Sequence, residues 1–528
     1  MTEIPSPSEI AWLNRLPPLS DKSANRIAGT SGRYRAAMGR VALALAVLLA
    51  LPGPAAAKTI IGTAKAERLV GTRTADLIDS VGGGRDTIAC SGGRDIVNAD
   101  GTDRVGTDCE VVSRRVSMDT LATSGQHQTQ VEPSIAANGS TVVATFQVGR
   151  ILDGGAAGIG WATSSNGGRT WRSGLLPAVT GFQQPPGPVE RASDPAVAYD
   201  ASHRTWLVVT LGVGVALSNI AISRSPDGVA WSRPVIATQA LRGTLAYDKE
   251  WIACDNSSIS AFYGTCYVAY SDFVANQLTV QVSKDGGATW SAPIAASRDT
   301  GSDVSGAIPV VQQNGAATIL FLASDNGVYA VRSTDGGTTW SPRVGVSPVD
   351  ADLPNGLRVP PLPAATVDAA GRIYLVWADC GSRGDCNGTD IVLSTSSDGL
   401  AWTQPRRIRG IGFDRFVPAI GADPTTPGKL GLLFFFRPTQ NCSANNDTCR
   451  IGVAYARSND GGATWRAPQR LDARPMAYSW LAQTTGGAFF GDYAGGVFSD
   501  GAFVPIFALA QPPTRGVKHE AMFSSRLP

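Results

Sequence analysis

The chain reads Ser283-Lys284-Asp285-Gly286-Gly287-Ala288-Thr289-Trp290 near its middle, and it carries six copies of this stretch in stricter or looser form. The other copies end at Trp171, Trp231, Trp340, Trp402 and Trp465, so that successive tryptophans lie 50 to 63 residues apart. Self-similarity at a nearly fixed period of this size indicates a repeat architecture. The repeat therefore decides the fold class.

Each copy predicts a tight turn at its Asp-Gly-Gly core. The Asp side chain accepts hydrogen bonds from nearby backbone N–H groups, and the glycines supply positive φ angles. A short strand with alternating polarity precedes the turn, as at 328–331, and a proline follows it, as at Pro293 and Pro342. Proline is tolerated in an outer strand, which needs no complete hydrogen-bond ladder. The pattern predicts an all-β fold.

The repeated stretch resembles the Asp box of the sialidase superfamily. The resemblance implies a β-propeller of four-stranded blades, with each box between the third and fourth strands of a blade and away from the central funnel. Such a box identifies a fold and does not by itself establish an activity.

The number of blades follows from the strands between the boxes. An inner-strand start precedes each box, and a seventh such segment at 490–493 follows the last box without a box of its own. We expect residues 116–121 to supply the missing outer strand and close the ring. Residues 116–528 are therefore predicted to form seven blades, with six as the alternative, within the usual range of four to eight.

Composition narrows the classes of function. The chain has 528 residues, 45 Lys and Arg against 43 Asp and Glu, and a formal charge of +2, so nothing indicates nucleic-acid binding. Its three histidines are scattered, which argues against a histidine-rich metal site. The sialidase resemblance implies a glycan or glycoconjugate as the partner, and we expect a monomer.

The eight cysteines form four local pairs with short separations, which predict disulfides and export to an oxidising compartment. The predicted pairs are Cys90 with Cys109, Cys254 with Cys266, Cys380 with Cys386, and Cys442 with Cys449.

Residues 1–57 are predicted to be a signal-peptide region. Arginines precede the eleven apolar residues 41–51, and small residues at 55–57 form a cleavage site before Lys58. Eleven apolar residues are too few to span a bilayer, so no stable membrane span is expected. The polar leader before them favours Met38 as the true start. The mature protein is then expected to be secreted.

A second repeat occupies residues 58–115. Its aspartates recur at intervals of 8 to 10 residues, each followed two positions later by Ile or Val: Asp76, Asp86, Asp95 and Asp103. This pattern resembles the calcium-binding nonapeptide repeat of secreted RTX proteins, in degraded form. The resemblance implies a small β-solenoid in which these carboxylates bind Ca²⁺. The alternative is a metal-free solenoid held by the Cys90 and Cys109 disulfide.

The inner-strand starts of a propeller face its funnel, so polar residues there are the site candidates. The sialidase resemblance implies a Tyr nucleophile, a Glu that activates it, an Asp acid/base and arginines that hold a carboxylate. For catalysis it points to Tyr493, Glu250 and Asp194. For substrate binding the candidates are Arg358, Arg415, Asp248, Asp492 and Glu132. Lys249 and Asp303 belong to the same ring, and Tyr478 is a second candidate nucleophile.

Glu132 departs from the family pattern. The family has an Arg-Ile-Pro motif in the first blade, whereas this chain reads Val131-Glu132-Pro133. A carboxylate there would repel the carboxylate of sialic acid. The resemblance implies a glycoside hydrolase of exo-α-sialidase type, and the alternative, which Glu132 favours, is a non-catalytic propeller that binds carbohydrate or protein at the cell surface.

Overall fold

The computed structural model describes residues 57–121, 125–214, 217–241, 247–273, 275–297, 304–384 and 386–528. The predicted signal region up to residue 56, with Met38, and the candidate Asp303 lie outside the described residues. The described chain is all-β, and its only helices are the 3-10 turns Gly381–Arg383 and Tyr478–Trp480. Among the described residues no helix is long and apolar enough to cross a membrane.

Residues 57–115 form a β-solenoid-like segment of about three turns. Its strands are Thr59–Ile61 (β1), Arg68–Val70 (β2), Leu77–Asp79 (β3), Thr87–Ala89 (β4), Ile96–Ala99 (β5), Arg104–Val105 (β6) and Val111–Arg115 (β7). They build two parallel sheets, β1-β3-β5-β7 and β2-β4-β6. Ile78, Ile88 and Val97 fill the space between the sheets, beside the Cys90–Cys109 disulfide.

Most of the remaining strands form successive antiparallel sets of four. Set 1 is Gln126–Asn138 (β8), Thr141–Arg150 (β9), Ala156–Ser164 (β10) and Arg172–Leu175 (β11). Set 2 is Arg191–Asp200 (β12), Thr205–Val213 (β13), Leu217–Ser225 (β14) and Val235–Leu241 (β15). Set 3 is Tyr247–Cys254 (β16), Cys266–Asp272 (β17), Gln277–Ser283 (β18) and Ile294–Ser297 (β19).

Three further sets follow the same pattern. Set 4 is Val304–Val311 (β20), Ala317–Ala323 (β21), Gly327–Ser333 (β22) and Val344–Pro348 (β23). Set 5 is Ala364–Val367 (β24), Ile373–Asp379 (β25), Asp390–Ser396 (β26) and Arg406–Ile408 (β27). Set 6 is Asp414–Ala422 (β28), Leu430–Arg437 (β29), Arg450–Ser458 (β30) and Gln469–Arg470 (β31).

The chain ends in a closing set. Three short strands lead to it: Met476–Ala477 (β32), Ala482–Thr484 (β33) and Gly487–Phe489 (β34). The set itself consists of Gly495–Ser499 (β35), Ala502–Thr514 (β36) and Val517–Ser525 (β37). The first strand of every set contacts the first strand of the next, and β35 contacts β8. The sets therefore close into a ring, which is the arrangement of a β-propeller.

The strand that completes the closing set is β7, the last strand of the solenoid. It pairs antiparallel with β37, Ser113 opposite Ser525, and parallel with β5 on its other edge. The prediction that residues 116–121 form this strand was therefore wrong. The pairing ends at Val116, whose N–H donates to Met522 O at 2.8 Å, because Val111–Arg115 already occupies the edge of β37.

The boxes form the turns that their residues predict. Asp285 Oδ1 accepts from the N–H groups of Ala288 and Thr289 at 3.0 and 2.9 Å, and Gly286 and Gly287 have φ angles of 67° and 75°. The serine of the box donates to the residue two positions later: Ser283 to Asp285, Ser164 to Asn166 and Ser396 to Asp398.

All four predicted cysteine pairs are disulfides in the structure: Cys90–Cys109, Cys254–Cys266, Cys380–Cys386 and Cys442–Cys449. Four disulfides indicate an oxidising, extracellular environment.

Candidate functional site

The inner strands of five sets carry the same two-residue bulge, which shapes the centre of the ring. In each bulge two residues of the inner strand stand opposite a single residue of the next strand, which shifts the register of the ladder by one residue. The first of the two bulge residues has a positive φ in every case: Glu132 (54°), Asp194 (45°), Lys249 (53°), Gly306 (64°) and Val417 (47°). Such bulges re-aim side chains and are frequent beside active sites. Here they direct the side chains of Glu132, Asp194 and Lys249 to one point.

Glu250 occupies the second position of its bulge. Three of the other bulges have proline there, at Pro133, Pro195 and Pro418, where no N–H is needed for the ladder. A glutamate at this position has no role in forming the bulge, so its presence calls for another explanation.

Lys249 is the centre of a buried ionic cluster. Its Nζ lies 2.7 Å from Asp492 Oδ2, 3.0 Å from Asp194 Oδ1 and 3.4 Å from Glu132 Oε1. The Lys249 side chain is only 5% exposed. Because unpaired charges of this kind are costly to bury, the four groups depend on one another.

Two arginines extend the cluster. Arg358 Nη2 donates to Asp492 Oδ2 at 2.8 Å, the same oxygen that Lys249 binds. Arg150 donates to Gln147 Oε1 at 3.1 Å, and the Gln147 amide in turn donates to Glu132. Both guanidinium groups lie 4.7 Å from the centre of the Phe489 ring. All the cations of this region therefore have protein partners.

Burial and neighbouring charges separate the carboxyl groups into two kinds. Burial raises the pKa of Glu132 and of Asp248 to about 7, and it raises the pKa of Glu250 well above its usual range. Burial acts in the same direction on Asp492, but Arg358 and Lys249 outweigh it and lower the pKa of Asp492. Carboxyls whose pKa values diverge in this way can serve as acid and base in one site.

Several polar atoms in this region are buried and have no hydrogen-bond partner on another described residue. They are both carboxylate oxygens of Glu250, the hydroxyl of Tyr493 and Asp492 Oδ1. Glu250 and Tyr493 line the same central cavity of about 180 Å³, together with Trp251 and the apolar inner strands. Buried polar groups without partners call for a ligand, a water or a catalytic role.

The ring of Tyr493 is held from two sides. Trp251 meets it edge-on with ring centres 5.1 Å apart, and Lys249 Nζ lies 5.6 Å from its centre. Burial, followed by the charges of Glu132 and Asp194, raises the pKa of Tyr493 well above its usual range. The phenol is therefore neutral at rest and needs a base before it can act as a nucleophile.

Most of the candidates from the sequence lie together in this cluster: Tyr493, Glu250, Asp194, Arg358, Asp248, Asp492 and Glu132. Arg415 does not. Its guanidinium forms an ion pair with Asp390 and donates to Gly412 O at 2.9 Å. Tyr478 also lies apart from the residues that line the central cavity.

Sequence reasoning gave no role to Lys249 and did not find Arg150, Gln147 or Phe489. Lys249 had a detectable signal, because it stands at the same bulge position as Glu132 and Asp194. Arg150 and Gln147 lie on β9, a second strand, where the search for inner-strand starts did not reach. Phe489 belongs to the short strand β34, which no repeat predicts.

The four aspartates of the solenoid are buried and bind the backbone of the preceding turn. Asp76 accepts from Lys58 N at 2.7 Å, Asp86 from Glu67 N at 2.7 Å, Asp95 from Asp76 N at 2.6 Å and Asp103 from Asp86 N at 2.9 Å. In the described part of the chain no group of three or more His, Cys, Asp or Glu side chains is arranged to hold a metal. Both carboxylate oxygens of Asp76 and of Asp103 accept hydrogen bonds within the solenoid, while Oδ2 of Asp86 and of Asp95 is buried without a partner among the described residues.

No family model matches the chain. Among solved structures it is similar to a protein of unknown function from Dyadobacter fermentans, at 16% identity over 66% of this chain and 98% of that one, with a TM-score of 0.43. It is similar to the NanB sialidase from Streptococcus pneumoniae at 12% identity, over 78% and 70%, with a TM-score of 0.42. An alpha-L-arabinofuranosidase from Fusarium graminearum matches at 13% identity, over 64% and 96%, with a TM-score of 0.41.

Proposed function

We propose that this protein is a secreted glycoside hydrolase of exo-α-sialidase type that acts on glycoconjugates. The observation that carries the proposal is the pair formed by Glu250 and Tyr493. Their polar atoms are buried, have no partner on another described residue and line one cavity at the centre of the ring. A nucleophile and a base that share a cavity are the minimal machinery for covalent glycoside cleavage.

In this proposal Tyr493 is the nucleophile and Glu250 takes its proton. The Glu250 carboxyl must first ionise, and because its pKa is raised, the ionised fraction grows as the pH rises. Asp194 and Asp248 together form the acid/base position, and burial raises the pKa of Asp248 to about 7, so this pair retains a proton for the leaving group. Activity then requires one ionised and one protonated carboxyl, so we expect a narrow bell-shaped pH profile.

We further propose that the ring is a seven-bladed propeller, with sets 1 to 6 as six blades and the closing set with β7 as the seventh. Contact between β35 and β8 and the pairing of β37 with β7 support this count. Six blades remain the alternative. Secretion through the leader at 1–57 is proposed from the sequence, and a mature protein that begins at Lys58 would support it.

A second candidate function is a non-catalytic propeller that binds carbohydrate or protein. One observation favours it. Lys249 and Arg358 are already paired with carboxylates, and Glu132 stands in the same cluster. A sialic-acid carboxylate would have to displace these partners, whereas a binding protein needs no such exchange.

The two candidates separate in a turnover assay. We would test a fluorogenic α-sialoside and a panel of aryl glycosides against the wild type, Tyr493→Phe and Tyr267→Phe. Tyr267 is a matched control, because its hydroxyl is buried without a partner among the described residues but lies outside the cavity lining. We expect Tyr493→Phe to lower kcat at least about 100-fold, because the nucleophile is lost, and Tyr267→Phe to have little effect.

Two results would contradict the proposal. Turnover of no substrate in the panel would reject the hydrolase and favour the binding protein. Equal turnover by wild type and Tyr493→Phe would keep the hydrolase and reject Tyr493 as its nucleophile.

A further inference from the structure

A second cavity lies between sets 1 and 2, at the end of the ring where the boxes are. Its volume is about 420 Å³, more than twice that of the central cavity, and the two share no lining residue. The described residues that line it include parts of two boxes, around Trp171 and Asp227, and the hairpin that joins β12 to β13. We call it the inter-set cleft.

Three aromatic rings form the floor and wall of the inter-set cleft. Tyr199 and Trp206 pair across the hairpin of set 2, with ring centres 4.7 Å apart and planes tilted by 49°. Trp171 comes from the box of set 1 and is fixed by a hydrogen bond from its Nε1 to Gly168 O at 3.1 Å. Trp206 is buried, whereas Tyr199 and Trp171 are partly exposed. Their faces therefore offer rigid apolar area to a ligand.

Next to the hairpin, an aromatic pair with a partly exposed ring distinguishes set 2 from the other sets. The equivalent cross-strand pairs next to the hairpin are Ala137 and Val142, Ala253 and Tyr267, Val310 and Thr318, Thr366 and Tyr374, Gly421 and Gly431, and Phe498 and Phe503. Most of these offer one large ring or none. The phenylalanine pair of the closing set is buried and apolar. The cleft is thus a local feature of set 2 and does not follow from the repeat.

The polar groups of the cleft balance in charge. Asp227 Oδ1 accepts from Val229 N and Ala230 N, both at 2.8 Å, and these bonds lower its pKa, so it is ionised. Arg172 supplies one exposed cation, and Ser165, Thr170 and Asn138 supply uncharged polar groups. A ligand with net charge of either sign would meet one like charge. An uncharged ligand with many hydroxyls would meet donors, acceptors and ring faces together.

We propose that the inter-set cleft is a binding site for an uncharged sugar unit of an oligosaccharide, separate from the central cavity. Aromatic faces with a few fixed polar groups are the usual lining of a small-molecule site, and the volume lies in the usual range of such sites, roughly 300–1,000 Å³. Binding at this site requires no turnover, so the proposal does not depend on whether the central cavity is catalytic.

Calorimetric titration tests the proposal on the full chain with Tyr493→Phe, which prevents the proposed hydrolysis. The probes are cellohexaose, xylohexaose, maltohexaose and chitohexaose, with hexagalacturonate as the anionic comparison. We expect at least one neutral oligosaccharide to bind, and to bind more tightly than hexagalacturonate. Adding Tyr199→Leu should weaken this binding at least about tenfold, since the partly exposed ring face is lost.

Matched variants separate binding from stability. Tyr329→Leu alters another partly exposed tyrosine, stacked on Phe321 outside the cleft, and should leave affinity unchanged. Arg172→Ala changes an exposed lining residue and should weaken binding even if Tyr199→Leu fails to fold. Absence of binding by every neutral probe would overturn the proposal, as would tighter binding of hexagalacturonate or affinity that neither Tyr199→Leu nor Arg172→Ala alters.

Discussion

A single lysine forms ion pairs with carboxylates from set 1, from set 2 and from the segment before the closing set. Lys249 belongs to set 3, and its ammonium binds Glu132 of set 1, Asp194 of set 2 and Asp492, which precedes β35. The same ammonium lies near the ring of Tyr493. Because each of its partners is almost completely buried, Lys249 offsets charges that water does not reach. Its role is to position the groups around the cavity.

Replacing Lys249 by methionine should therefore be severe. Lys249→Met keeps the length of the side chain but leaves buried carboxylates without their cation, which typically costs about 3–5 kcal/mol of unfolding free energy. Urea denaturation measures the loss. Lys429→Met is the control, because Lys429 is 27% exposed and pairs with one carboxylate, Asp423, at 3.0 Å. Because Lys429 keeps contact with water and neutralises a single carboxylate, its loss should cost less than the loss of Lys249. Equal losses in the two variants would contradict a central role for Lys249.

The elements show what the sequence could and could not predict. The box turns, the antiparallel sets and the disulfides follow from local signals, such as the positive φ that Gly286 and Gly287 supply and the short separation of each cysteine pair. The ionic cluster does not, because its side chains come from four separate parts of the chain and no local pattern relates them. Arg415 shows the converse. Arg415 lies in the expected strand, yet its guanidinium forms an ion pair with Asp390 on the neighbouring strand β26 and does not join the central cluster.

The solenoid carries a testable prediction about Ca²⁺. Asp86 Oδ2 and Asp95 Oδ2 are buried without a partner among the described residues, and burial raises the pKa of both side chains. We propose that Ca²⁺ relieves this unfavourable burial. Millimolar Ca²⁺ should then raise the thermal unfolding midpoint of the full chain, and Asp86→Asn with Asp95→Asn should remove the increase.

The double variant keeps the hydrogen bonds that Oδ1 of each aspartate accepts from the backbone, which controls for folding. Asn retains an acceptor for the backbone N–H of Glu67 and of Asp76, so the double variant should still fold without Ca²⁺. Calorimetry with no heat and no Ca²⁺-dependent shift in the wild type would leave these aspartates as acceptors of backbone amides only.

One strand, β7, belongs to both the solenoid and the ring. β7 ends a parallel sheet of the solenoid and completes the antiparallel closing set, so no linker separates residues 58–115 from residues 116–528. Further contacts fix the solenoid to set 6: Asn98 Nδ2 donates to Leu471 O at 3.0 Å and Asn98 Oδ1 accepts from Ala473 N at 2.6 Å. The predicted domain boundary thus falls at the end of a strand that both parts share.

Deleting residues 58–115 should damage the ring itself. The edge of β37 would be exposed as a row of unpaired backbone groups, which promotes association with other chains. We expect a thermal unfolding midpoint lower by at least about 5 °C and oligomers on size exclusion. Deleting only residues 58–79 keeps β7, Asn98 and the Cys90–Cys109 disulfide, and should cost much less. Equal stability of the two truncated chains would show that β7 is dispensable.

The shared strand also sets an order of events in time. Ser113 and Ser525 share a hydrogen bond at 2.8 Å although they are 412 positions apart in the chain. Contacts over such separations form slowly, because a long loop must close before they yield any stabilisation. The seam between β7 and β37 is therefore expected to form late on the way to the native state. Until then the outer edge of β37 has no partner strand, so the seam is where a chaperone or a protease has the longest time to act.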